Sequence, residues 1–331
     1  MKPLSISFII PYYKVELALL ARAIRSVQAL GNTVDWEIWV IDDGTPESEA
    51  KHFIERLNEP NIGYYAQTHS GPGGARNTGL DLANKEYVHF LDADDYLFHT
   101  PLKQALNMLA TSPVELFAFQ SQKVHDTSIS DGSSPPPRLI FQGTGVDFML
   151  RHNLHGSVWS YFFKHELARD LRFTPIAYHE DEEFTALLFL KSKQITVTNL
   201  PVYAYYQRKG SIMHRTESPF VKQRFLDLIT IILNLKKKGK QLSGLSAAAL
   251  NKRIDMLCMS MAYTLLGDSP DTSFLLDMRN RMRSAGLYPL SPHYYSLTYT
   301  IIRICTSTTV GLVALNKLFR LLHIKHAGKA F

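Results

Sequence analysis

Apolar residues in the first two hundred positions come in short continuous blocks, and each block is followed by a polar cluster. The blocks at Ser5–Ile10, Trp36–Ile41, Ile62–Ala66 and Tyr87–Leu91 are strand-length and read as buried strands, the first closed by Pro11. Between them, Val15–Leu30, Glu47–Leu57 and Gly74–Ala83 carry apolar residues at helical spacing. Short apolar strands alternating with helices predict parallel βαβ units, in a sheet covered on both faces. A helix over 101–110 and strands at Glu115–Gln120 and Gln194–Asn199 continue the pattern. Residues 145–190 mix helix and loop around Trp159, Phe162 and Phe163, which are expected in the core, and helix Phe184–Leu190 closes that stretch. From about Pro219 the pattern is helical to the end.

Ligands of such sheets bind outside the carboxyl ends of the strands. Three unusual clusters fall there: Tyr12-Tyr13-Lys14, Asp42-Asp43-Gly44-Thr45 and Asp92-Ala93-Asp94-Asp95. Asp42 and Asp43 suit a base or ribose as hydrogen-bond acceptors, and equally suit a capped turn. The glycine-dense stretch from Gly71 to Gly79 fits neither GxGxxG nor a Walker A loop. Its N–H groups, with Arg76 and Asn77, fit an anion at a helix start, while a tight turn with Arg76 in a structural ion pair fits as well. Carboxylates crowded as closely as Asp92, Asp94 and Asp95 repel unless solvated or bound to a cation. Oxygen ligands of this kind suit Mg²⁺ or Mn²⁺. A second acidic cluster, His179 to Glu183, offers either a general base or a helix start placed to suit the dipole. A basic aromatic stretch from Tyr205 to Arg215 fits a diphosphate clamp, with His214 as a candidate metal ligand.

Composition narrows the setting. With 45% apolar and 20% charged residues, the chain has the composition of a folded globular protein. The formal charge is +6, and after Asp277 eight Lys or Arg follow with no Asp or Glu. That excess points to an acidic partner or a solvated basic tail. No nucleic-acid-binding module accompanies it. The two cysteines, Cys258 and Cys305, sit in no zinc motif and suggest a reducing compartment. The start runs directly into a strand-like block, unlike a signal peptide. The apolar stretch 297–315 is interrupted by Arg303 and by residues 306–309, which fits a core helix or an interfacial segment better than a membrane span.

In order and spacing, five clusters resemble the family 2 glycosyltransferases of the bacterial surface-polysaccharide type. They are Phe8 to Tyr13, Ile41 to Thr45, Gly74 to Leu80, Leu91 to Asp95, and Val158 to Lys164 continuing through Leu171-Arg172-Phe173 to Glu180-Asp181. The resemblance covers about residues 4–215. It implies a GT-A fold, a Rossmann-like mixed α/β sheet flanked by helices, for a catalytic domain at 1–215; the helical pattern of 216–331 lies beyond it as a C-terminal extension. It implies an inverting transfer from a nucleotide-diphosphate donor, usually a UDP-sugar, to a saccharide or lipid-linked saccharide hydroxyl. Pro11 and Tyr13 would then line the nucleotide pocket, and Asp42 or Asp43 would read the base. Arg76 would contact the nucleotide and Asp92 the ribose or metal. Asp94 would bind Mn²⁺ or Mg²⁺, and Arg208 and Ser211 would close on the diphosphate. Asp181 is the expected base, with Glu180 the alternative. Lys14, where the family often has Asn, and Thr45, where it has Ser, are departures. A sugar-phosphate nucleotidyltransferase and a non-catalytic nucleotide-sugar-binding protein use similar pockets and remain the competing classes. Residues 216–331 have three roles open to them: acceptor platform, homodimer element, or contact with the anionic inner face of the cell membrane from the cytoplasm.

Overall fold

The computed structural model describes residues 3–126, 131, 135–207 and 218–322. Its contacts divide the chain into two compact units. One comprises the residues up to 148 and from 155 through the last strand; the other comprises 149–154 and the helices from Ser218 onward.

The first unit is built around a mixed sheet. Its elements, in order, are β1 (Ser5–Tyr12), α1 (Leu17–Gln28), β2 (Asp35–Asp42), α2 (Ala50–Leu57), β3 (Ile62–Ala66), α3 (Gly71–Leu82) and β4 (Tyr87–Phe90). There follow β5 (Tyr96–Leu97), α4 (His99–Thr111), β6 (Leu116–Val124), β7 (Leu139–Gly143), α5 (Gly145–Arg151), β8 (Tyr161–Lys164), α6 (Glu180–Lys191) and β9 (Ile195–Tyr206). The strand order is β3-β2-β1-β4-β8-β6-β9-β5, with β7 also on β9. Strands β1 to β4 are mutually parallel, as are β6 and β9; β8 runs antiparallel between β4 and β6. This is the α/β sheet that the apolar blocks predict. The blocks bury because both faces are covered: Ile6, Phe8, Ile9 and Ile10 of β1 are fully buried. On α1, Leu20, Ala23, Ile24 and Val27 turn inward, while Arg25 faces water.

Several element boundaries lie beyond those the pattern predicts, and three of them have an identifiable reason. Strand β1 runs past Pro11 to Tyr12, because β4 has already ended opposite Ile9 and Pro11 needs a ladder partner on β2 alone. Helix α6 starts at Glu180 rather than Phe184, and the four carboxylates of its first turn suit the positive end of the helix dipole. Strand β9 runs past Asn199 to Tyr206, held there by hydrogen bonds to the acidic turn after β4.

The second unit is helical: α7 (Ser218–Gly239), α8 (Gly244–Asp268), α9 (Thr272–Ser284), α10 (Leu297–Thr306) and α11 (Thr309–Leu321). Helix α8 packs against α7, α9 and α11. The apolar stretch 297–315 is two helices, broken where the Thr308 hydroxyl accepts the Gly311 N–H and caps α11. No helix among the described residues is long and apolar enough to cross a membrane.

Candidate active site

The parallel strands deliver their acidic turns to one edge of the sheet. Tyr12 pairs with Asp42 in register, and Asp43 N–H donates to the Tyr12 carbonyl at 2.9 Å. Leu91 N–H donates to Ile9 O at 2.9 Å, which places Asp92 beside the end of β1.

The turn after β2 is saturated by its own chain. Asp42 is buried, accepting Thr45 N–H at 2.9 Å and the Tyr64 hydroxyl at 2.8 Å. Asp43 is buried as well. Its carboxylate accepts Ser70 N–H at 2.9 Å, Gly71 N–H at 2.8 Å and Gln67 Nε2 at 2.8 Å. His69 Nδ1 lies 2.8 Å from Asp43 Oδ2, and its ring stacks on Tyr13 at 4.2 Å. Asp43 therefore anchors the start of α3, which begins at Gly71 instead of Gly74. The Gly71 N–H, the first of the glycine turn and expected to face an anion, is taken by this side chain. The glycines serve close approach: a Cβ on Gly74 would lie 2.1 Å from Ser70 Oγ, and one on Gly79 would lie 2.2 Å from Ile9 Cγ2. Asn77 is also committed internally, donating to Phe173 O at 3.0 Å and accepting Phe173 N–H at 2.8 Å.

The turn after β4 is arranged differently. Asp92 and Asp94 are partly exposed, while Ala93 and Asp95 are buried. Asp95 accepts the Tyr203 hydroxyl and the Tyr206 N–H, both at 2.7 Å. Burial holds its carboxyl well above the usual carboxylate range, and Asp94 and Asp92 add to the shift. Arg22, from the buried face of α1, donates to the Asp94 carbonyl at 2.6 Å.

Arg76 joins this turn to the second acidic cluster. Its guanidinium is buried, donating through Nη2 to Asp92 Oδ1 at 3.0 Å and through Nη1 to Glu180 Oε1 at 2.7 Å. It also lies over the Phe173 ring, 5.6 Å from the centroid. Burial works against its charge, but the Asp92, Glu180 and Asp181 carboxylates outweigh that and hold it firmly cationic. Asp181, next along α6, is partly exposed. Its carboxyl sits well above the usual range, through burial first and the Glu180 and Glu182 charges second. A carboxyl tuned upward in this way holds a proton more readily than an ordinary aspartate, as a general base must.

Sequence and structure comparisons identify the site's family. The family model for "Glycosyl transferase family 2" matches residues 7–169, which include the turns after β1, β2 and β4. That region of the chain, residues 7–169, belongs to that family. Among curated relatives, it is 42% identical to the succinoglycan biosynthesis protein ExoW of Rhizobium meliloti (strain 1021), over 94 residues covering 27% of this chain and 29% of that one. It is 27% identical to the glycosyltransferase EpsJ of Bacillus subtilis (strain 168), over 231 residues covering 65% of this chain and 64% of that one. These matches span less than two thirds of either relative. The crystal structure of S. aureus TarS 1–349 in complex with UDP-GlcNAc aligns with a TM-score of 0.68 at 16% identity, covering 96% of this chain and 92% of that one. The fold of this family 2 chain is thus the GT-A fold, and the alignment extends beyond the sheet into the C-terminal helices.

For this glycosyltransferase-family chain, the structure gathers Asp92, Arg76 and Glu180 by direct contact, with Asp94 and Asp181 beside them in sequence. Pro11, Tyr13, Asp42 and Asp43 lie at the neighbouring β1 and β2 ends. Arg208, Ser211 and His214 fall outside the described residues. Among the described residues no cluster of three or more His, Cys, Asp or Glu is gathered as a metal site. Two partly exposed carboxylates, Asp92 and Asp94, still fit Mg²⁺-type ions, which commonly take one or two protein carboxylates and complete their shell with water and substrate phosphate. Sequence reading overlooked Tyr203, whose hydroxyl donates to Asp95 and accepts the Asp92 N–H at 3.2 Å. It also overlooked Arg22 and His69. Arg22 carried a signal, a charge on the apolar face of α1; the other two carried none.

Proposed function

We propose that this protein transfers a sugar from a nucleotide-diphosphate donor, a UDP-sugar, to a hydroxyl of a saccharide or lipid-linked saccharide. The acceptor belongs to cell-surface polysaccharide assembly at the inner face of the membrane, and the configuration inverts. The observation that supports this reading is the Arg76 bridge, which ties the acidic turn after β4 to the start of α6. Family membership and the UDP-GlcNAc bound by the TarS structure support the donor class.

In this reading Tyr13 and Pro11 line the nucleotide side, and Asp42 and Asp43 hold that wall in shape. Asp94, with Asp92, would hold Mn²⁺ or Mg²⁺, which would supply positive charge for the departing diphosphate. Arg76 keeps Asp92 and Glu180 in place and compensates their charge. Asp181 accepts the proton of the acceptor hydroxyl. The acceptor oxygen bonds to the anomeric carbon from the face opposite the diphosphate, whose bond to that carbon breaks, so a single displacement inverts the centre. General-base catalysis by Asp181 contributes about 10²–10⁴-fold, and the rest comes from orientation and electrostatics.

The test is a screen of UDP-, GDP- and TDP-sugars with Mn²⁺ or Mg²⁺. Release of nucleoside diphosphate, with a glycosylated or hydrolysed sugar, supports the proposal. Pyrophosphate release from a nucleoside triphosphate and a sugar phosphate would identify a nucleotidyltransferase instead.

A further inference from the structure

Helices α10 and α11 each have two apolar faces. The inward face of α10 places Tyr299, Ile302 and Thr306 in the interior of the second unit; that of α11 places Leu312, Asn316 and Phe319 there. Asn316 fixes the seating of α11 by donating to the Leu266 carbonyl at 2.8 Å. These faces already account for the packing of both helices. The second face is surplus to it. On α10, Leu297, Ile301 and Ile304 recur at i, i+4 and i+7 and stand 68%, 47% and 57% exposed. On α11, Val310 and Leu318 recur at i and i+8 and stand 81% and 46% exposed. Isolated exposed apolar residues are ordinary, but a repeated stripe on each of two consecutive helices marks an interaction surface.

Charge says what that surface meets. From Ser218 to the end the sequence holds 16 Lys or Arg against 5 Asp or Glu, whereas residues 1–217 hold 20 against 25. Beyond Asp277 no acidic residue occurs, so Arg303, Lys317 and Arg320, carried on the striped helices themselves, have no neighbouring carboxylate in sequence. Arg320 donates to the Ser269 carbonyl at 2.7 Å and to the Pro270 carbonyl, both neutral acceptors. Helices of 10 and 13 residues are too short to span a bilayer. Short helices with an apolar stripe and a basic flank lie in the plane of an anionic membrane surface.

We infer that α10 and α11 dock on an anionic lipid surface, with Leu297, Ile301, Ile304, Val310 and Leu318 entering the acyl boundary and Arg303, Lys317 and Arg320 meeting the headgroups. The inference is independent of transfer chemistry, because its readout is vesicle binding. The experiment floats the full chain with phosphatidylglycerol/phosphatidylcholine vesicles and with pure phosphatidylcholine vesicles, alongside sedimentation velocity without lipid. The wild type floats with the anionic vesicles and not the neutral ones, and added salt weakens the binding. Ile301→Gln with Ile304→Gln, and separately Val310→Gln with Leu318→Gln, each lower partitioning about tenfold or more. Removing one headgroup contact, Lys317→Gln, lowers it about fivefold. Turnover of a soluble donor stays at the wild-type rate in these variants, and absence of turnover in every protein would count against the transfer proposal alone. Failure of the wild type to float, or flotation unchanged in both double variants, overturns the inference. So does a wild-type dimer that the double variants convert to monomer without any lipid binding, which would make the stripe a self-association face.

Discussion

The turns after β2 and β4 stand on either side of β1 at one sheet edge, and each carries adjacent aspartates. After β2, both side chains are buried and their oxygens are occupied by backbone N–H groups, Tyr64 and Gln67. After β4, Asp95 is handled that way, by Tyr203 and Tyr206, while Asp92 is tethered to Arg76 and both Asp92 and Asp94 stay partly exposed. The same residue type thus builds a frame in one turn and, in the proposed function, offers ligand atoms in the other. Partners separate the two roles: a carboxylate whose hydrogen bonds are satisfied internally contributes stability, whereas one left facing the edge with its charge partly compensated is available to a cation or substrate.

Substitutions can break this comparison, beginning with the largest effect. Asp181→Asn removes the proposed base while keeping size and polarity; transfer should fall about 10²–10⁴-fold, with donor binding retained in a titration. Arg76→Met leaves buried Glu180 without its cation and should cost about 3–5 kcal/mol in urea denaturation. Adding Glu180→Gln should recover part of that loss, which a double-mutant cycle would read as coupling. Asp43→Ala strips the start of α3 of its acceptor and should cost about 1–3 kcal/mol by the same denaturation.

How far these roles were legible in the sequence follows from the range of the contacts involved. The alternation β1–α1–β2–α2–β3–α3–β4 is written locally, in apolar blocks and the polar residues between them, so the fold class and the edge that carries the site could be read directly. The partners of the aspartates are written at long range. Asp43 finds Ser70 and Gly71 27 and 28 positions away, Arg76 finds Glu180 at 104 positions, and Tyr203 finds Asp95 at 108. Sequence spacing gives no hint of such pairs, so Arg76 read equally well as a ligand contact and as an ion pair. The two-residue strand β5 was illegible for the same reason, since its ladder is with β9, more than a hundred residues later. The double-sided apolar pattern of α10 and α11 was visible as hydrophobicity, but only packing shows which face is surplus.

The smallest effect concerns pH. In the proposed mechanism transfer needs the deprotonated Asp181, and its carboxyl is held above the usual range. The rate should therefore be full at higher pH and fall as pH drops through that raised value, earlier than an ordinary aspartate would allow. Glu182→Gln removes one of the charges that raise it, so the acid limb of the pH–rate profile should move to lower pH.

The most direct measurement pairs Asp94→Asn with Asp43→Asn, scoring nucleoside diphosphate release from a UDP-sugar with Mn²⁺ and the urea midpoint for each. Asp94→Asn should lose about 10²–10³-fold in release with its midpoint unchanged, while Asp43→Asn should lower the midpoint. Wild-type release by Asp94→Asn would contradict the assignment of the turn after β4 as the reacting one.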